Sequence, residues 1–314
     1  MKIIELNQIK KIMASIDVIP CIEQAFVAYS KGDAVMPSVG ELIFTHPPGD
    51  VHIKYGYIRG GDYYVIKVAS GFYENAKMDL PVNNGLMLLA DQKTGVFKAI
   101  LLDEGYLTQL RTAAAGAIAA KYLAPRVVHH IGIVGTGEQA RLQLFYLRHV
   151  VKCKKIMVWG RDDNKLLQFK NEEMFKGLEI EVTKDISEMA FCCNLIVTAT
   201  PASSPLLFAK DIQPGTHITA IGADSPHKQE LHQDVFAKAD IVAVDSVLQC
   251  IERGDVAHAV RDDVIKQENL IELGSIIDGK HIGRANDAQI TVADLTGLAV
   301  QDLQIAKAVL NAVS

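Results

Sequence analysis

The chain has 314 residues, of which 49% are hydrophobic and 22% charged, a globular composition longer than one hydrophobic core usually supports. Its net charge of −5 gives no electrostatic reason to expect nucleic acid or an anionic membrane as a partner. It has no apolar run of about 18 residues that would span a bilayer, and it begins without a signal-peptide pattern. The five cysteines have no C-x-x-C spacing, so we expect reduced thiols and no metal site. Together these features predict a cytoplasmic protein, and the chain length predicts two domains.

The first part of the chain mixes helical and strand patterns. Apolar residues recur at helical spacing in residues 16–29, and segments 51–58 and 63–68 have the composition of strands. An alanine-rich helix is predicted over residues 108–122, and Pro125 ends it.

Two apolar runs, 86–90 and 96–102, flank a short polar turn. Gly95 can take the left-handed conformation that such a turn needs, so the pattern predicts a hairpin. Apart from Lys98, both strands are apolar on both faces, and each face therefore needs a cover. We predict that one cover comes from a second copy of the chain, in a homodimer.

From residue 126 the pattern changes to alternating strands and helices. This alternation is typical of a doubly wound parallel sheet, so we predict an α/β Rossmann domain over residues 126–296. The predicted strands are 131–134, 156–159, 195–198, 217–221 and 241–244.

A glycine-rich loop, Gly135-Thr136-Gly137-Glu138-Gln139-Ala140, follows the first of these strands. Its G-x-G-x-x-A pattern is weak alone, but it lies between a strand and a helix, and a second strand follows at the expected distance. Gly135 permits the tight turn, Gly137 lets a pyrophosphate approach the backbone, and Ala140 lets the helix pack closely. The helix N-terminus supplies N–H groups for phosphates. The loop predicts dinucleotide binding; the alternative is a purely structural turn.

The end of the second strand bears on the choice of cofactor. A carboxylate at this point would bind the adenosine ribose, but the chain has Trp159-Gly160-Arg161, followed by Asp162 and Asp163. Arg161 can pair with a 2′-phosphate, which favours NADPH over NADH. The alternative is a solvated arginine that the two aspartates balance.

Two basic residues lie in otherwise apolar patterns. Lys67 lies in the middle of an apolar strand, so it either snorkels to solvent or meets an anion. Arg111 lies near the start of the alanine-rich helix, where a cation opposes the helix dipole unless an anion lies in front of it. Its alternative role is a salt bridge to Asp103 or Glu104. We interpret both residues as candidates to hold a carboxylate.

Asp224 follows the predicted strand 217–221, and ligands of open parallel sheets bind beyond the carboxyl ends of strands. An aspartate before a helix often caps it. Here, however, Ser225 followed by Pro226 already supplies a cap and a proline at the first helical position. We therefore predict that Asp224 is available to act on a proton or a cationic nitrogen beside a nicotinamide.

At these residues the chain resembles the ornithine cyclodeaminase/μ-crystallin family. The resemblance runs over nearly the whole length and is carried by five segments taken together: 65–71 around Lys67, 110–115 around Arg111, the loop 135–140, 222–231 around Asp224, and 297–303.

The resemblance implies a dimer of two-domain chains, in which residues 1–125 and 297–314 form an α+β substrate-binding and dimerisation domain. It implies that Lys67 and Arg111 bind a substrate α-carboxylate at the catalytic site, and that Asp224 is the catalytic acid/base. The residues expected at the cofactor are Gly135, Thr136, Gly137, Glu138, Gln139, Ala140, Arg161, Thr200 and Lys228.

The chain departs from the family pattern near Pro37, where many members have an arginine that contacts the carboxylate and the segment 36–41 has none. His52 and Lys54 are two residues apart on a predicted strand and so share a face. Our hypothesis is that Lys54 replaces the missing cation; the alternative is a lysine on a solvated strand face.

The family includes cyclodeaminases, ketimine reductases and amino-acid dehydrogenases, so its fold does not choose among them. The Gly160-Arg161 pair and the altered carboxylate region favour a ketimine reductase that uses NADPH or NADH. The expected substrate is a small cyclic imino acid, first Δ1-pyrroline-2-carboxylate (giving L-proline) and second Δ1-piperideine-2-carboxylate (giving L-pipecolate). Asp224 would keep the imine nitrogen protonated. The alternatives are ornithine cyclodeaminase, which converts L-ornithine to L-proline and ammonia, and a non-catalytic dinucleotide-binding protein.

Overall fold

A computed structural model describes residues 1–313, which divide into two compact units. Unit 1 comprises Met1–Arg111 together with the segment that begins at Leu298, and unit 2 comprises Thr112–Gly297. The sequence pattern placed this division after the alanine-rich helix, at residue 125, whereas the contacts place it inside that helix, between Arg111 and Thr112.

Unit 1 is an α+β unit built on one sheet. Its elements in chain order are β1 Lys2–Glu5, α1 Leu6–Met13, α2 Val18–Ser30, β2 Ala34–Val35, β3 Gly40–Thr45, β4 Pro48–Ile58, β5 Tyr63–Phe72, the 3-10 helix Tyr73–Met78, β6 Asn83–Asp91, β7 Phe97–Leu102 and the start of α3 Tyr106–Leu123. Within residues 1–313 the sheet has seven strands in the order β1-β7-β6-β5-β4-β2, with β3 paired to β4. The C-terminal helix, Ala299–Ala312, packs on β4, β5 and α2.

The predicted hairpin is confirmed as β6 and β7. Gly95 has a φ of 71°, and the carboxylate of Asp91 accepts hydrogen bonds from the backbone N–H groups of Lys93 and Thr94, both at 3.0 Å. These contacts hold the turn in the left-handed conformation that glycine tolerates.

The two faces of this sheet differ in burial. Alternate residues of its central strands, such as Val65, Met87 and Leu101, are fully buried on the face that the helices cover. Most of the intervening side chains are also apolar but remain partly exposed. They include Ile66, Val68, Leu86, Leu88, Ile100 and Leu102.

Unit 2 is the predicted doubly wound domain, which confirms the α/β fold class. Its elements in chain order are the remainder of α3, β8 Ile131–Val134, α4 Glu138–Leu147, β9 Lys155–Trp159, α5 Asp163–Lys170, the 3-10 helix Glu173–Phe175, β10 Glu179–Thr183, α6 Ile186–Cys192, β11 Leu195–Thr198, β12 Ser203–Leu207, the 3-10 helix Ala209–Asp211, β13 His217–Ala220, β14 Gln229–Leu231, α7 Gln233–Lys238, β15 Ile241–Val244, α8 Val247–Arg253, α9 Asp255–Arg261, the 3-10 helix Gln267–Asn269, β16 Leu270–Glu272, α10 Leu273–Ile277 and β17 Thr291–Asp294. The helix Ala299–Ala312 of unit 1 is α11.

The main sheet of unit 2 has, within the described residues, eight strands in the order β10-β9-β8-β11-β13-β17-β15-β16, and all its pairs are parallel. The strand order reverses between β8 and β11, because β9 and β10 lie on one side of β8 and the later strands on the other. In such sheets this switch point is where a crevice opens at the carboxyl ends of the strands. The five predicted strands are confirmed, whereas β10, β16 and β17 were not predicted.

In residues 1–313, no single helix is long and apolar enough to cross a membrane. The pair α1 and α2 passes the same test of length and composition only when taken together, and it is bent by 95° at the break between the two helices.

Candidate active site

A buried ion cluster lies on the covered face of the sheet in unit 1. Lys67 of β5 and Arg111 of α3 are 2% and 5% exposed, and both contact the carboxylate of Asp302, which is fully buried in the first turn of α11. Lys67 Nζ lies 2.9 Å from Asp302 Oδ2, and Arg111 Nε donates to Asp302 Oδ1 at 3.0 Å. Arg111 also donates from Nη1 to the side-chain oxygen of Gln301 at 3.4 Å.

The charges in this cluster shift the pKa values of its members. Burial opposes ionisation of Asp302, but the adjacent Lys67 and Arg111 more than offset it, so the pKa of Asp302 lies below its usual range. Burial lowers the pKa of Lys67, and the carboxylate of Asp302 opposes that shift. The N-terminal position of Asp302 on α11 adds the favourable field of the helix dipole. The carboxylate is therefore ionised and holds both cations in place.

The cluster leaves donors over for another anion. Lysine has three N–H donors and arginine five. Among residues 1–313, Lys67 uses one of these donors and Arg111 two, on Asp302 and Gln301. Two cations buried against one carboxylate are able to receive a second carboxylate without losing the first.

The structure places Lys54 beside this cluster. Lys54 of β4 is directly opposite Lys67 in the antiparallel register, and it is 7% exposed. Its charge is one of those that lower the pKa of Asp302. The solvated-lysine alternative is therefore wrong. His52, which shares its strand face, lies 3.2 Å from Glu41 and 3.3 Å from Asp50, so it faces acidic partners.

The glycine-rich loop of unit 2 has the geometry of a dinucleotide site. Gly135 has a φ of 120°, and a Cβ there would lie 2.9 Å from the carbonyl oxygen of Ala199, so only glycine fits. Gly137 is the N-cap of α4, and a Cβ on it would meet nothing within 4 Å, which leaves the space a phosphate needs before the helix N-terminus. Ala140 is fully buried where α4 packs on the sheet. Thr136 lies between the two glycines of this turn, and Glu138 and Gln139 begin α4.

Arg161 follows β9 with an exposed side chain. The carboxylate of Asp162 caps α5 by accepting from the N–H groups of Asn164 and Lys165. Asp163 pairs with Lys184 at 3.0 Å. The two aspartates thus have other partners, and Arg161 stays a proposed contact of a 2′-phosphate beside its alternative as a solvated surface arginine.

The loop after β13 carries Asp224, but the helix predicted from Ser225 and Pro226 was wrong. The chain makes a turn at 226–227 and enters the short strand β14. Asp224 Oδ1 instead forms an ion pair with Lys228 Nζ at 2.6 Å. Lys228, expected at the cofactor, therefore neutralises the candidate acid/base, whose side chain is 43% exposed.

Thr200 lies in the loop after β11, and a buried glutamate holds it. Its backbone N–H and its hydroxyl both donate to Glu230 Oε1 at 2.6 Å. Glu230 is fully buried in β14.

Sequence reasoning named neither Asp302 nor Glu230 as a functional residue. Asp302 is an acid on an amphipathic helix, whereas Glu230 lies in a polar run, His227-Lys228-Gln229-Glu230, that leads into a strand. A charge in an apolar pattern was the signal that singled out Lys67, and the same signal applies to Asp302 but not to Glu230.

Known proteins resemble the chain along its whole length. The model of the ornithine cyclodeaminase/mu-crystallin family matches residues 2–314. An uncharacterized cyclodeaminase of Sinorhizobium fredii is 38% identical, with 98% of this chain and 94% of the relative aligned. The alanine dehydrogenase of Archaeoglobus fulgidus is 35% identical, covering 98% and 93% of the two chains. A Δ1-pyrroline-2-carboxylate reductase of Bacillus cereus is 33% identical, covering 98% and 95%.

Two solved structures are also similar to the chain over its whole length. An archaeal alanine dehydrogenase dimer with bound NAD has a TM-score of 0.91 at 33% identity, covering 100% of this chain and 96% of that one. The Δ1-pyrroline-2-carboxylate reductase of Thermococcus litoralis, in complex with NADH and L-proline, has a TM-score of 0.92 at 30% identity, covering 100% and 97%. The chain belongs to the ornithine cyclodeaminase/mu-crystallin family.

Proposed function

We propose that the chain is an NAD(P)H-dependent oxidoreductase that reduces a cyclic ketimine carboxylate, with Δ1-pyrroline-2-carboxylate first and Δ1-piperideine-2-carboxylate second. The observation that carries this proposal is the buried cluster of Lys67 and Arg111 on Asp302, whose remaining donors suit a carboxylate. Relatives named as Δ1-pyrroline-2-carboxylate reductases, one of them solved with NADH and L-proline, support the substrate class.

In this proposal, Lys67 and Arg111 of unit 1 bind the substrate carboxylate, with Lys54 as the third cation in place of the missing arginine. The positive charges of Lys67, Arg111 and Lys54 around Asp302 favour an anionic substrate. Lys67 and Arg111 are already oriented by Asp302, so little side-chain entropy is lost on binding.

Unit 2 supplies the dinucleotide site and the acid/base. The N-terminus of α4 and the space over Gly137 fit a pyrophosphate, and Arg161 fits a 2′-phosphate, which favours NADPH. The reduced nicotinamide supplies the hydride to the imine carbon. Asp224, paired with Lys228, keeps the imine nitrogen protonated so that this carbon is electrophilic.

The partly exposed apolar face of the unit 1 sheet supports a homodimer, because a sheet face of this composition is normally covered. The archaeal alanine dehydrogenase is a dimer. We propose that two copies of this chain stack their sheets on this face.

A second candidate is ornithine cyclodeaminase activity, since the Sinorhizobium fredii relative is named a cyclodeaminase. That reaction releases ammonia and leaves the cofactor in its starting redox state. Arg161, which is exposed after β9, fits a consumed NADPH better than a retained NAD.

The experiment that tests the proposal follows the absorbance of NADPH and NADH with Δ1-pyrroline-2-carboxylate, for the wild type and Asp224→Asn. We expect rapid oxidation with L-proline as product, faster with NADPH. Loss of the acid/base should lower kcat by about 10²–10⁴-fold with little change in cofactor affinity. Failure to oxidise either cofactor, with ammonia released from L-ornithine and NAD, would establish the cyclodeaminase instead. Equal losses of rate and cofactor affinity in Asp224→Asn would refute the role of Asp224.

A further inference from the structure

The fully buried carboxylate of Glu230 accepts four hydrogen bonds. Oε2 accepts from the hydroxyl of Thr198 at 2.7 Å and from the backbone N–H of Gly222 at 2.9 Å. Oε1 accepts from the backbone N–H and the hydroxyl of Thr200, both at 2.6 Å. Two carboxylate oxygens offer about four acceptor sites, so its hydrogen-bonding capacity is filled.

These four donors come from two different loops. Thr198 and Thr200 end β11 and begin the loop after it, and Gly222 lies in the loop after β13. The two strands are neighbours in the parallel sheet, so both loops leave its carboxyl edge side by side, next to the switch point. Glu230 is therefore a crosslink between the two loops, made by hydrogen bonds instead of a covalent bond.

The close approach is built into the sequence. A Cβ on Gly222 would collide with the carbonyl oxygen of Thr200 and with the carboxylate of Glu230. Only glycine lets the two loops come this near.

A second buried acid, Asp255, holds the backbone of Glu230. Asp255 Oδ1, at the start of α9, accepts from the N–H groups of Glu230 at 2.6 Å and Leu231 at 2.8 Å. Asp255 is fully buried. The crosslink is thus attached to the packed body of unit 2 and moves with it.

We propose that Glu230 is a positioning residue for hydride transfer: it fixes the loop that carries Thr200 relative to the loop that carries Asp224, two residues beyond Gly222. This inference rests on the proposed function, since Asp224 is the acid/base only in that reaction. In this proposal Glu230 acts through the two loops, whose groups fill its hydrogen-bonding capacity.

Glutamine cannot replace the carboxylate, although it has the same shape. Each carboxylate oxygen accepts one backbone N–H, from Gly222 or from Thr200. In glutamine one of these oxygens becomes an NH₂ group, which only donates. Whichever way the amide turns, one backbone N–H loses its acceptor, and the loop that owns it is released.

The test compares Glu230→Gln with the control His217→Gln. His217 is equally buried, at the opposite end of β13, where its ring nitrogens lie 2.9 Å from the hydroxyls of Thr291 and Thr219. Both substitutions weaken buried hydrogen bonds of the same unit, but only the first touches the two loops. Steady-state kinetics, NADPH titration by fluorescence and hydrogen exchange by mass spectrometry are measured on the wild type and both variants.

For Glu230→Gln we expect kcat to fall by about 10²-fold, because a misplacement near 1 Å costs roughly that much. The KM for the imino acid should stay near the wild-type value, because Lys67 and Arg111 are not touched. Peptides covering residues 198–202 and 220–224 should exchange about tenfold faster. His217→Gln should keep kcat and the exchange of both peptides at wild-type values.

If Glu230→Gln keeps its kcat, or if His217→Gln loses as much, the positioning role is wrong. Hydrogen exchange needs no substrate and so separates the two proposals. If Glu230→Gln exchanges faster but the wild type reduces no imino acid, the crosslink is supported and only the proposed reaction is overturned. Unchanged exchange in Glu230→Gln would overturn the crosslink itself.

Discussion

The buried charge of Lys67 has a partner that the sequence pattern did not identify. The sequence left two alternatives, snorkelling to solvent or meeting an anion, and at 2% exposure the side chain does not reach solvent. The anion is a carboxylate of the chain itself, Asp302, from a helix more than 200 residues away in sequence. The same carboxylate explains Arg111, whose positive charge near the start of α3 now has an anion in front of it. The predicted alternative for Arg111, a salt bridge to Asp103 or Glu104, was wrong.

At the residue scale, we predict that Asp302→Asn is strongly destabilising. The substitution keeps the shape of the side chain but takes from the buried Lys67 and Arg111 the carboxylate that both contact. Removing one partner of a buried ion pair typically costs about 3–5 kcal/mol. Chemical denaturation of the variant at pH 7 should show this loss in the transition that reports unit 1.

Lys54→Met provides the comparison. Lys54 adds to the positive charge around Asp302, yet Lys67 and Arg111 remain as partners of the carboxylate, so the loss of stability should be much smaller. If Lys54 replaces the missing arginine, the KM for the imino acid should rise several-fold. A variant with wild-type KM would contradict that role, and a stable Asp302→Asn would contradict the ion cluster as the anchor of α11.

At the scale of elements, three short pieces of unit 2 meet in a buried acidic group: β14 with Glu230, the start of α9 with Asp255, and the end of β17 with Asp294. All three side chains are buried. Burial raises the pKa of Asp294 to about 8, and the nearby Asp245 adds to the shift. Burial also raises the pKa of Asp255 well above its ordinary value, as does the charge of Asp294. The start of α9 and the end of β17 therefore hold protons that an unfolded chain would release.

The sign of the pH dependence follows from Asp294. Between its ordinary pKa of 3.8 and the folded value of about 8, the folded chain binds a proton that the unfolded chain does not. Stability should therefore fall as pH rises through this window, by up to about 1.4 kcal/mol per pH unit from this group. We predict that the unfolding midpoint of the wild type drops from pH 6 to pH 8 and that Asp294→Asn, which carries no titrating proton, drops less.

Asp240→Asn is the matched control for this pH series. Its carboxylate accepts from the N–H of Ile290 at 2.7 Å, but the residue is exposed. It should follow the wild-type slope between pH 6 and pH 8. An Asp294→Asn variant that also follows that slope would show that Asp294 is ionised in the folded chain.

The elements that sequence reasoning found and those that it missed differ in a physical way. Strands β8, β11 and β15 were predicted with the bounds that the structure has, because each is a buried run of apolar residues with apolar groups on both faces. Strand β10 alternates acidic and apolar residues at the sheet edge, and β17 ends in a charged residue, so neither has that signature. The turn at Ser225–Pro226 resembles a helix start, but the next residues enter β14.

At the scale of the whole molecule, the uncovered sheet face of unit 1 predicts assembly. Leu102 lies on this face and is 39% exposed. We predict that Leu102→Glu converts a dimer to a monomer, because a buried unpaired charge would oppose the stacking of two sheets. Light scattering coupled to gel filtration measures the mass directly.

Phe191→Glu is the control for this change, since Phe191 is a 68% exposed aromatic residue on α6 of unit 2. It should leave the mass of the assembly unchanged. A wild-type chain that is monomeric, or a Leu102→Glu variant that keeps the wild-type mass, would refute stacking through this face.

The sequence alone determined the doubly wound sheet, the place and turn of the dinucleotide loop, the hairpin of unit 1 and the basic residues Lys67 and Arg111. These features follow from periodicity, from glycine's freedom in backbone conformation and from charges in apolar patterns, all of which act over a few residues. Only the tertiary structure decided what the buried charges contact. Asp302 meets Lys67 because α11 packs on β5, and Glu230 joins two loops because β11 and β13 are neighbours. Such partners depend on packing between segments that are distant in the chain, and local sequence patterns do not predict that packing.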